Sequence, residues 1–458
     1  MKKIKNGFIV KQGNELEKVT IYTDNGKIKY IMPGDDTSFN VEKEIDAENC
    51  VVFPGFIDPH VHFDDPGFTQ REDFETGTRS AAAGGVTTII DMPCTSIPPV
   101  ISGKNFDYKL SIVEKKAYVD FAFWGGVTPL QVDSGEYKTT LNELKSRGIV
   151  GVKFYTISGM ELYPRMPVPQ MHKAFEFLRD LNLVCAVHAE DFYLVDFYSE
   201  YLKSQGRKDP ESWFEGRVYE AEAKAIWSVM GIADKVGNKL HIVHLSTKKG
   251  LDAIKWGKEH KIDITTETCP QYLLFTVNDL KKIGPILKTA PPVRREEDRL
   301  ALWNGIQEGL IDFLATDHAA GVFPEEKSKE SIWDNYAGIP GTQLFASEIF
   351  TYGYHENKLS LEQIQTLLSI NAAKRYGLYP DKGSLFIGTD ADFTIVDLEE
   401  EWIVDAKSLE SKGKYSPLNG RKLKGKVKKT IVRGEVVYSD KEGIIGRNGY
   451  GKLIRSNL

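Results

Sequence analysis

Short apolar runs punctuate this chain, and the spacing between them changes twice. Up to about residue 50, runs at 7–10, 19–22 and 27–31 alternate with turns, which predicts a small β unit. From there to about residue 385, strand-like runs end near residues 62, 91, 124, 155, 188, 244, 267 and 317, each followed by a helix-length segment. Eight such βα units predict an α/β fold of the (β/α)₈ TIM-barrel type, which places its chemistry at the strand C-termini. The β rhythm returns at 393–397 and 429–434. Neither flanking β segment is long enough to close a core alone, so the two are expected to pair into one small β-sandwich. The expected division is residues 1–52 with 386–458 for the sandwich and 53–385 for the barrel.

Composition narrows the function. A chain of 458 residues, 41% hydrophobic and 27% charged, suits a soluble barrel with a small appendage. A formal net charge of -6 argues against a nucleic-acid or anionic-membrane partner and favours a small neutral substrate. Cys50, Cys94, Cys185 and Cys269 are scattered without Cys-x-x-Cys pairing and read as reduced thiols of a cytoplasmic protein. The basic residues 1–5 are followed by no apolar segment, and no run reaches ~18 apolar residues, so neither an export signal nor a membrane span is expected.

The polar residues at the strand ends carry the chemistry. In His60-Val61-His62, strand alternation aims both imidazoles to one side, making half a metal site. His188 and His244 each end an apolar run; either alone reads more readily as a satisfied core histidine, and the two together point to the site. Asp317 puts a carboxylate at the last strand, where an N-cap is the plain alternative. Lys153 ends an apolar strand, and burial there would push it toward the neutral amine, which takes up carbon dioxide. The resulting carbamate suits bridging two cations; the alternative is a lysine that snorkels to solvent. The six residues fall on five strands at one end of the inferred barrel. Nitrogen and oxygen donors without thiolates suit Zn²⁺, with Mn²⁺, Co²⁺, Fe²⁺ and Ni²⁺ also possible. Two such metals would hold a bridging hydroxide able to attack a carbonyl, with Asp317 carrying its proton to the leaving nitrogen. Of the remaining histidines, His318 is the expected outer partner of the site because it adjoins Asp317.

These motifs, with residues 53–62, the Gly84-Gly85-Val86-Thr87-Thr88 turn, Gly151-Val152-Lys153, His188-Ala189-Glu190, His244-Leu245-Ser246 and Thr316-Asp317-His318, resemble the cyclic amidohydrolases. That group contains hydantoinase, dihydropyrimidinase, allantoinase and dihydroorotase. The similarity runs through nearly the whole chain, including Gly388-Thr389-Asp390-Ala391-Asp392-Phe393. It implies that His60, His62 and Asp317 hold one metal and His188 and His244 the other, with a carboxylated Lys153 between them. It also implies hydrolysis of a cyclic amide by a cytosolic homo-oligomer, a dimer or tetramer.

The departures bear on the substrate. Dihydroorotases grip a carboxylate with an arginine two residues after the second metal histidine and an asparagine in an Asn-Thr-x-Pro loop; here those places resemble Asp64 and Cys94. An aspartate repels a carboxylate at short range, so an allantoin- or hydantoin-type ring is favoured over dihydroorotate. Dihydroorotase and dihydropyrimidinase activities are the alternatives. The tyrosine that hydantoinases place five residues after the bridging lysine is Ser158 here, with Tyr155 close but not aligned. The resemblance further implies that main-chain groups near Ala290 and Asn335 hold the ring; loop rigidity is the plain alternative reading of those prolines and glycines. Arg71 could reach the mouth or be merely solvated. A non-catalytic scaffold would lack metal ligands, a deaminase would commonly lack the bridging lysine, and both disagree with the six residues present.

Overall fold

The computed structural model describes all residues, 1–458, in a mixed α/β architecture. Parallel strands make two arcs. One runs Phe313–Leu314, Ile264–Thr268, Leu240–Ile242, Val184–His188, Gly151–Tyr155, Gly125–Gly126; the other runs His318–Ala319, Phe56–His62, Val86–Asp91, Asp120–Phe123. The expected single eight-stranded ring is thus hydrogen-bonded as two sheets. At one seam only Trp124 separates Asp120–Phe123 from Gly125–Gly126, and at the other residues 315–317 separate Phe313–Leu314 from His318–Ala319. One main-chain bond, Val150 N to Phe123 O at 3.1 Å, crosses the first seam.

Helices cover the outside of both arcs for reasons legible in their sequences. In Lys248–Glu259 the Thr247 side chain accepts from Gly250 N, capping the helix, while Leu251, Ala253, Ile254 and Gly257 bury one face. Strand residues alternate: Cys185 and Val187 join the core shared with the helices, whereas Val184 and Ala186 face an inner core with Ile57, Ile90, Ala122, Trp124 and Tyr376. That inner core fills the base beneath the polar strand ends.

Phe56–His62 breaks its own alternation. Two residues lie between Asp58 and Val61 while only one lies between their partners Ile89 and Asp91, a one-residue bulge. The extra residue resets the parity, so Ile57 packs in the inner core and His60 and His62 also face inward while Val61 packs outward.

Strands from both ends of the chain form one nine-stranded sheet. Its path is Gly443–Ile444, Glu435–Ser439, Lys422–Val432, Phe393–Ile403, Val51–Pro54, Lys2–Val10, Leu16–Asp24, Lys27–Pro33, with Lys43–Asp46 beside Lys2–Val10. Its buried face collects Ile4, Ile21, Val52, Phe393, Ile395 and Ile431. A buried ion cluster fastens this sheet to the strand Asp120–Phe123: Lys382 Nζ lies 2.5 Å from Asp120, 3.0 Å from Asp390 and 2.6 Å from Asp392, and Arg433 also binds Asp120.

Candidate metal centre

The strand ends bring four imidazoles into a chain. Ring centroids lie 5.3 Å apart for His62 and His60, 5.5 Å for His60 and His244, and 4.5 Å for His244 and His188. Asp317 Oδ1 is 3.2 Å from Nε2 of His60 and 3.2 Å from Nε2 of His62, and these three residues can converge on one cation. Lys153 is fully buried, and its charge acts on His60, His188, His244 and Asp317. His244 and Asp317 fall just beyond their short strands, with φ of 41° and 51°; Asp64 has φ of 56°. Left-handed backbone at three non-glycine residues of one site is strain held in place by the surrounding fold.

The donors fit metal ions. His60 Nε2, Lys153 Nζ and His244 Nδ1 are buried and have no hydrogen-bond partner in the protein. Orphaned buried nitrogens are costly in a folded protein, and a ligand removes that cost. Burial holds His60 and His244 well below the usual imidazole value, keeping them neutral as ligation requires, and lowers His188 as well. Burial also pushes Lys153 down to about 8. Burial opposes protonation of His62, yet Cys94 and Asp317 beside it push it up to about 10, so this side of the site attracts positive charge. Asp317 would be raised by its burial, but His60 and His62 hold it below the usual carboxylate value.

Three of the four imidazoles, His60, His188 and His62, have a neighbour on one ring nitrogen. Glu267 binds His60 Nδ1 and, at 3.2 Å, His241 Nε2. Glu190 Oε2 is 2.9 Å from His188 Nε2 and is itself held by Arg217. Cys94 Sγ and Thr95 Oγ1 stand 3.7 Å and 3.5 Å from His62 Nδ1. Asp58 accepts from Thr316 N at 3.1 Å and Thr316 Oγ1 at 2.6 Å, fixing the residue before Asp317. Tyr163 donates to Lys153 O at 2.7 Å, and only a glycine at 126 leaves room for its ring. Sequence reasoning named none of Glu267, His241, Asp58 or Arg217 as site residues. Glu190 was visible beside His188 as a carboxylate two residues on.

His318, the expected outer partner, is a correction. Its Nε2 is 3.1 Å from Glu72 and its Nδ1 accepts from Thr342 N, because the left-handed backbone at Asp317 turns the chain before the strand His318–Ala319 begins and the His318 ring packs away from the imidazole chain. His241 holds the place instead.

The expected substrate contacts fall into two groups. Asp64 is buried beside His62 with both carboxylate oxygens unpartnered, and burial pushes it up to about 7. Cys94 Sγ is 3.0 Å from Tyr155 Oη, and the Tyr155 ring stacks on His188 at 5.3 Å. Ser158 is consumed locally, donating to Tyr163 O. Arg71 is bound to Glu326 at 2.6 Å and stacked on Tyr336 at 4.3 Å, so it offers no free cation. The Asn335 side chain is tied to Lys329 and Ser331, and its carbonyl accepts from Lys288. Ala290 and Ala337 are half-buried, and their main-chain N–H and C=O groups make no hydrogen bond within the protein. The second acidic group, Asp120, Asp390 and Asp392, is filled by the Lys382 ammonium. All four cysteines are buried and free.

A parallel-stranded scaffold with a histidine–aspartate centre at its strand ends defines a class, and comparison names it. The amidohydrolase family profile matches residues 51–437, and the chain belongs to that family, among the cyclic amidohydrolases, which use divalent metal. It is 35% identical over 447 residues to a protein named allantoinase from Rubrobacter xylanophilus, covering 97% of this chain and 96% of that one. It is 36% identical over 409 residues to an allantoinase from Deinococcus radiodurans, covering 89% of each. The L-hydantoinase (dihydropyrimidinase) of Arthrobacter aurescens superposes with a TM-score of 0.93 at 31% identity, covering 99% of both chains. No helix is long and apolar enough to cross a membrane.

Proposed function

We propose that this protein hydrolyses the ring amide of an allantoin- or hydantoin-type ureide at a binuclear metal centre. The observation that carries the reading is the convergence of six side chains from five strand ends, three of them with buried nitrogens that no protein group satisfies. In this reading His60, His62 and Asp317 hold one cation, His188 and His244 the other, and Lys153, carboxylated, lies between them. Zn²⁺ suits the donor set. Bound there, divalent cations would polarise the scissile carbonyl and make water acidic enough to attack at neutral pH.

The chain's own groups do the rest. Oδ1 of Asp317 faces the two imidazoles, and the carboxylate would take a proton from the attacking water and deliver it to the ring nitrogen. One water is added across the amide: oxygen joins the carbonyl carbon, the C–N bond breaks, and the nitrogen receives the proton. Ala290 and Ala337 offer unpaired main-chain donors and acceptors to the planar ring edge. Asp64 and the engaged Arg71 leave no cation to hold a substrate carboxylate, which favours allantoin or hydantoin over dihydroorotate; Cys94 borders the same face. The allantoinase relatives support the same choice.

The two arcs are read as one (β/α)₈ barrel closed through Trp124 and residues 315–317, and residues 1–52 with 386–458 as a small β-sandwich beside barrel 53–385. A buried cluster drawn only from residues 4–52 and 391–431 supports that division. A homo-oligomer in the cytoplasm completes the proposal. Tyr193, Phe197 and Tyr201 support self-association, since at 68%, 63% and 55% exposure they form an i, i+4, i+8 aromatic stripe along Phe192–Ser204.

The test is a ring-opening screen of metal-replete enzyme on allantoin, hydantoin, dihydrouracil and dihydroorotate. Allantoin or hydantoin should open fastest; turnover confined to dihydroorotate refutes the charge argument.

A further inference from the structure

Lys288 and Lys327 are buried lysines, 2% and 1% exposed, that lie outside the metal centre. Neither side-chain nitrogen pairs with a carboxylate; every hydrogen bond they make goes to main-chain carbonyls of two loops. Lys288, on the loop before Ala290, reaches across to the carbonyls of Ile332 at 2.7 Å, Trp333 at 3.3 Å and Asn335. Lys327, on the other loop, reaches back to Lys288 O at 3.3 Å and donates to Tyr336 O and Gly338 O, both at 2.9 Å. Those last two carbonyls flank Ala337. Gly338 N donates to Lys288 O at 2.9 Å, so the loops are stitched in both directions.

The stitching is selective. Trp213 Nε1 occupies Thr289 O at 2.8 Å, with Lys288 Nζ 3.9 Å from the indole centre; Tyr272 Oη occupies Pro291 O at 2.8 Å; Tyr415 Oη adds a second donor to Gly338 O. The carbonyls on either side of Ala290 and of Ala337 are thus spoken for, and those two residues are left open. Ile339, two residues beyond Ala337, bridges to His318, adjoining Asp317, so the stitched loops are anchored beside the metal centre. Burial pushes Lys288 down to about 7 and Lys327 well below its usual value, and two long side chains ordered in the interior are a costly way to meet carbonyls that shorter donors could have met.

We infer that Lys288 and Lys327 are positioning residues that set the spacing of the Ala290 and Ala337 main-chain groups, and so make ring recognition depend on an unblocked amide edge. This rests on the ring-opening reading above.

The experiment compares Lys288→Met and Lys327→Met with wild type on metal-replete enzyme. Two substrates are used: the ring that the wild type opens best, and the same ring methylated on its edge nitrogen. Wild type should prefer the unblocked ring by at least ~10-fold, because a site built to hydrogen-bond an N–H rejects its absence. Each variant should raise KM for the unblocked ring by roughly 10–100-fold with a much smaller change in kcat, and should compress the preference at least ~10-fold, at unchanged metal content. If a methionine variant does not accumulate folded, Lys288→Gln and Lys327→Gln, which keep an N–H donor on a shorter stem, carry the same measurement. A preference that survives while both substrates slow equally makes the pair scaffold only and overturns the inference, as do wild-type kinetics in the variants or a wild type indifferent to the methyl group. A wild type that opens no ring at all overturns the parent reading, and the inference with it.

Discussion

Two buried lysines show how differently one fold uses the same group. Lys153, at the strand ends, is fully buried with no partner for its nitrogen, and burial pushes it down to about 8. Lys382, at the other end of the strands, is equally buried, but Asp120, Asp390 and Asp392 surround it and raise its pKa despite its desolvation. The base cluster satisfies its charges internally and joins the sheet to the strands. The mouth cluster leaves its nitrogens unsatisfied, and a folded protein retains such groups where a ligand completes them.

The sharpest way to break this comparison is to remove each lysine. Lys153→Met should abolish bound metal and lower ring opening by at least ~10³-fold, the several kcal/mol that metal ions supply to charge development. The metal-free variant should nonetheless unfold at a urea concentration no lower than metal-free wild type, since it loses only an unpaired buried amine. Lys382→Met should do the reverse. Removing the ammonium leaves Asp392 without a cation and Asp120 and Asp390 with only Arg433 and Lys27, at a cost of about 3–5 kcal/mol visible as a lower urea midpoint, while the folded enzyme keeps its metals. If Lys153→Met were the variant that destabilised the metal-free protein, the contrast between the two clusters would be wrong.

Glu348 sharpens the contrast from a third position, as a carboxyl buried with neither cation nor ligand. Burial alone pushes it up to about 8 from 4.5. The folded state therefore holds a proton that the unfolded chain gives up above pH 4.5, and stability falls as pH rises from about 4.5 to about 8. Glu348→Gln should gain on the order of a few kcal/mol at pH 8 and change little at pH 4.5, measured by urea unfolding at both pH values. Equal effects at the two pH values would mean that Glu348 is charged in the fold.

Much of the mouth was legible in the sequence because its residues end apolar runs. His60, His62, Lys153, His188 and His244 needed only the strand rhythm to be found. What alternation could not give was the bulge between Asp58 and Val61, since one extra residue leaves no mark on composition. His318 was misjudged for a related reason: the left-handed backbone at Asp317 turns the chain, and the next ring packs toward Glu72. Glu267 and His241 went unnamed because they reach the site only through pairing across strands, a long-range fact. The two loops held by Lys288 and Lys327 were equally hidden, as lysines bonded to carbonyls have no periodicity to betray them. Arg71 read as a choice between mouth and solvent, whereas Glu326, 255 residues away, takes it.

The smallest expected effect tests the boundary between the two kinds of burial. Glu267 is buried and ionisable like the base carboxylates, yet it grips His60 and His241 and holds His60 Nε2 toward Asp317. If its work is orientation of a ligand, Glu267→Gln should keep the fold, because the carboxamide fills the same volume and retains an acceptor for His60. Metal affinity should drop roughly 10–100-fold, the usual cost of removing an outer carboxylate from a ligating histidine. Activity should then recover when excess metal is supplied, since the reacting groups themselves are intact. A variant that binds metal as wild type but unfolds more easily would instead place Glu267 with Lys382, among the groups whose charges exist to hold the strands together.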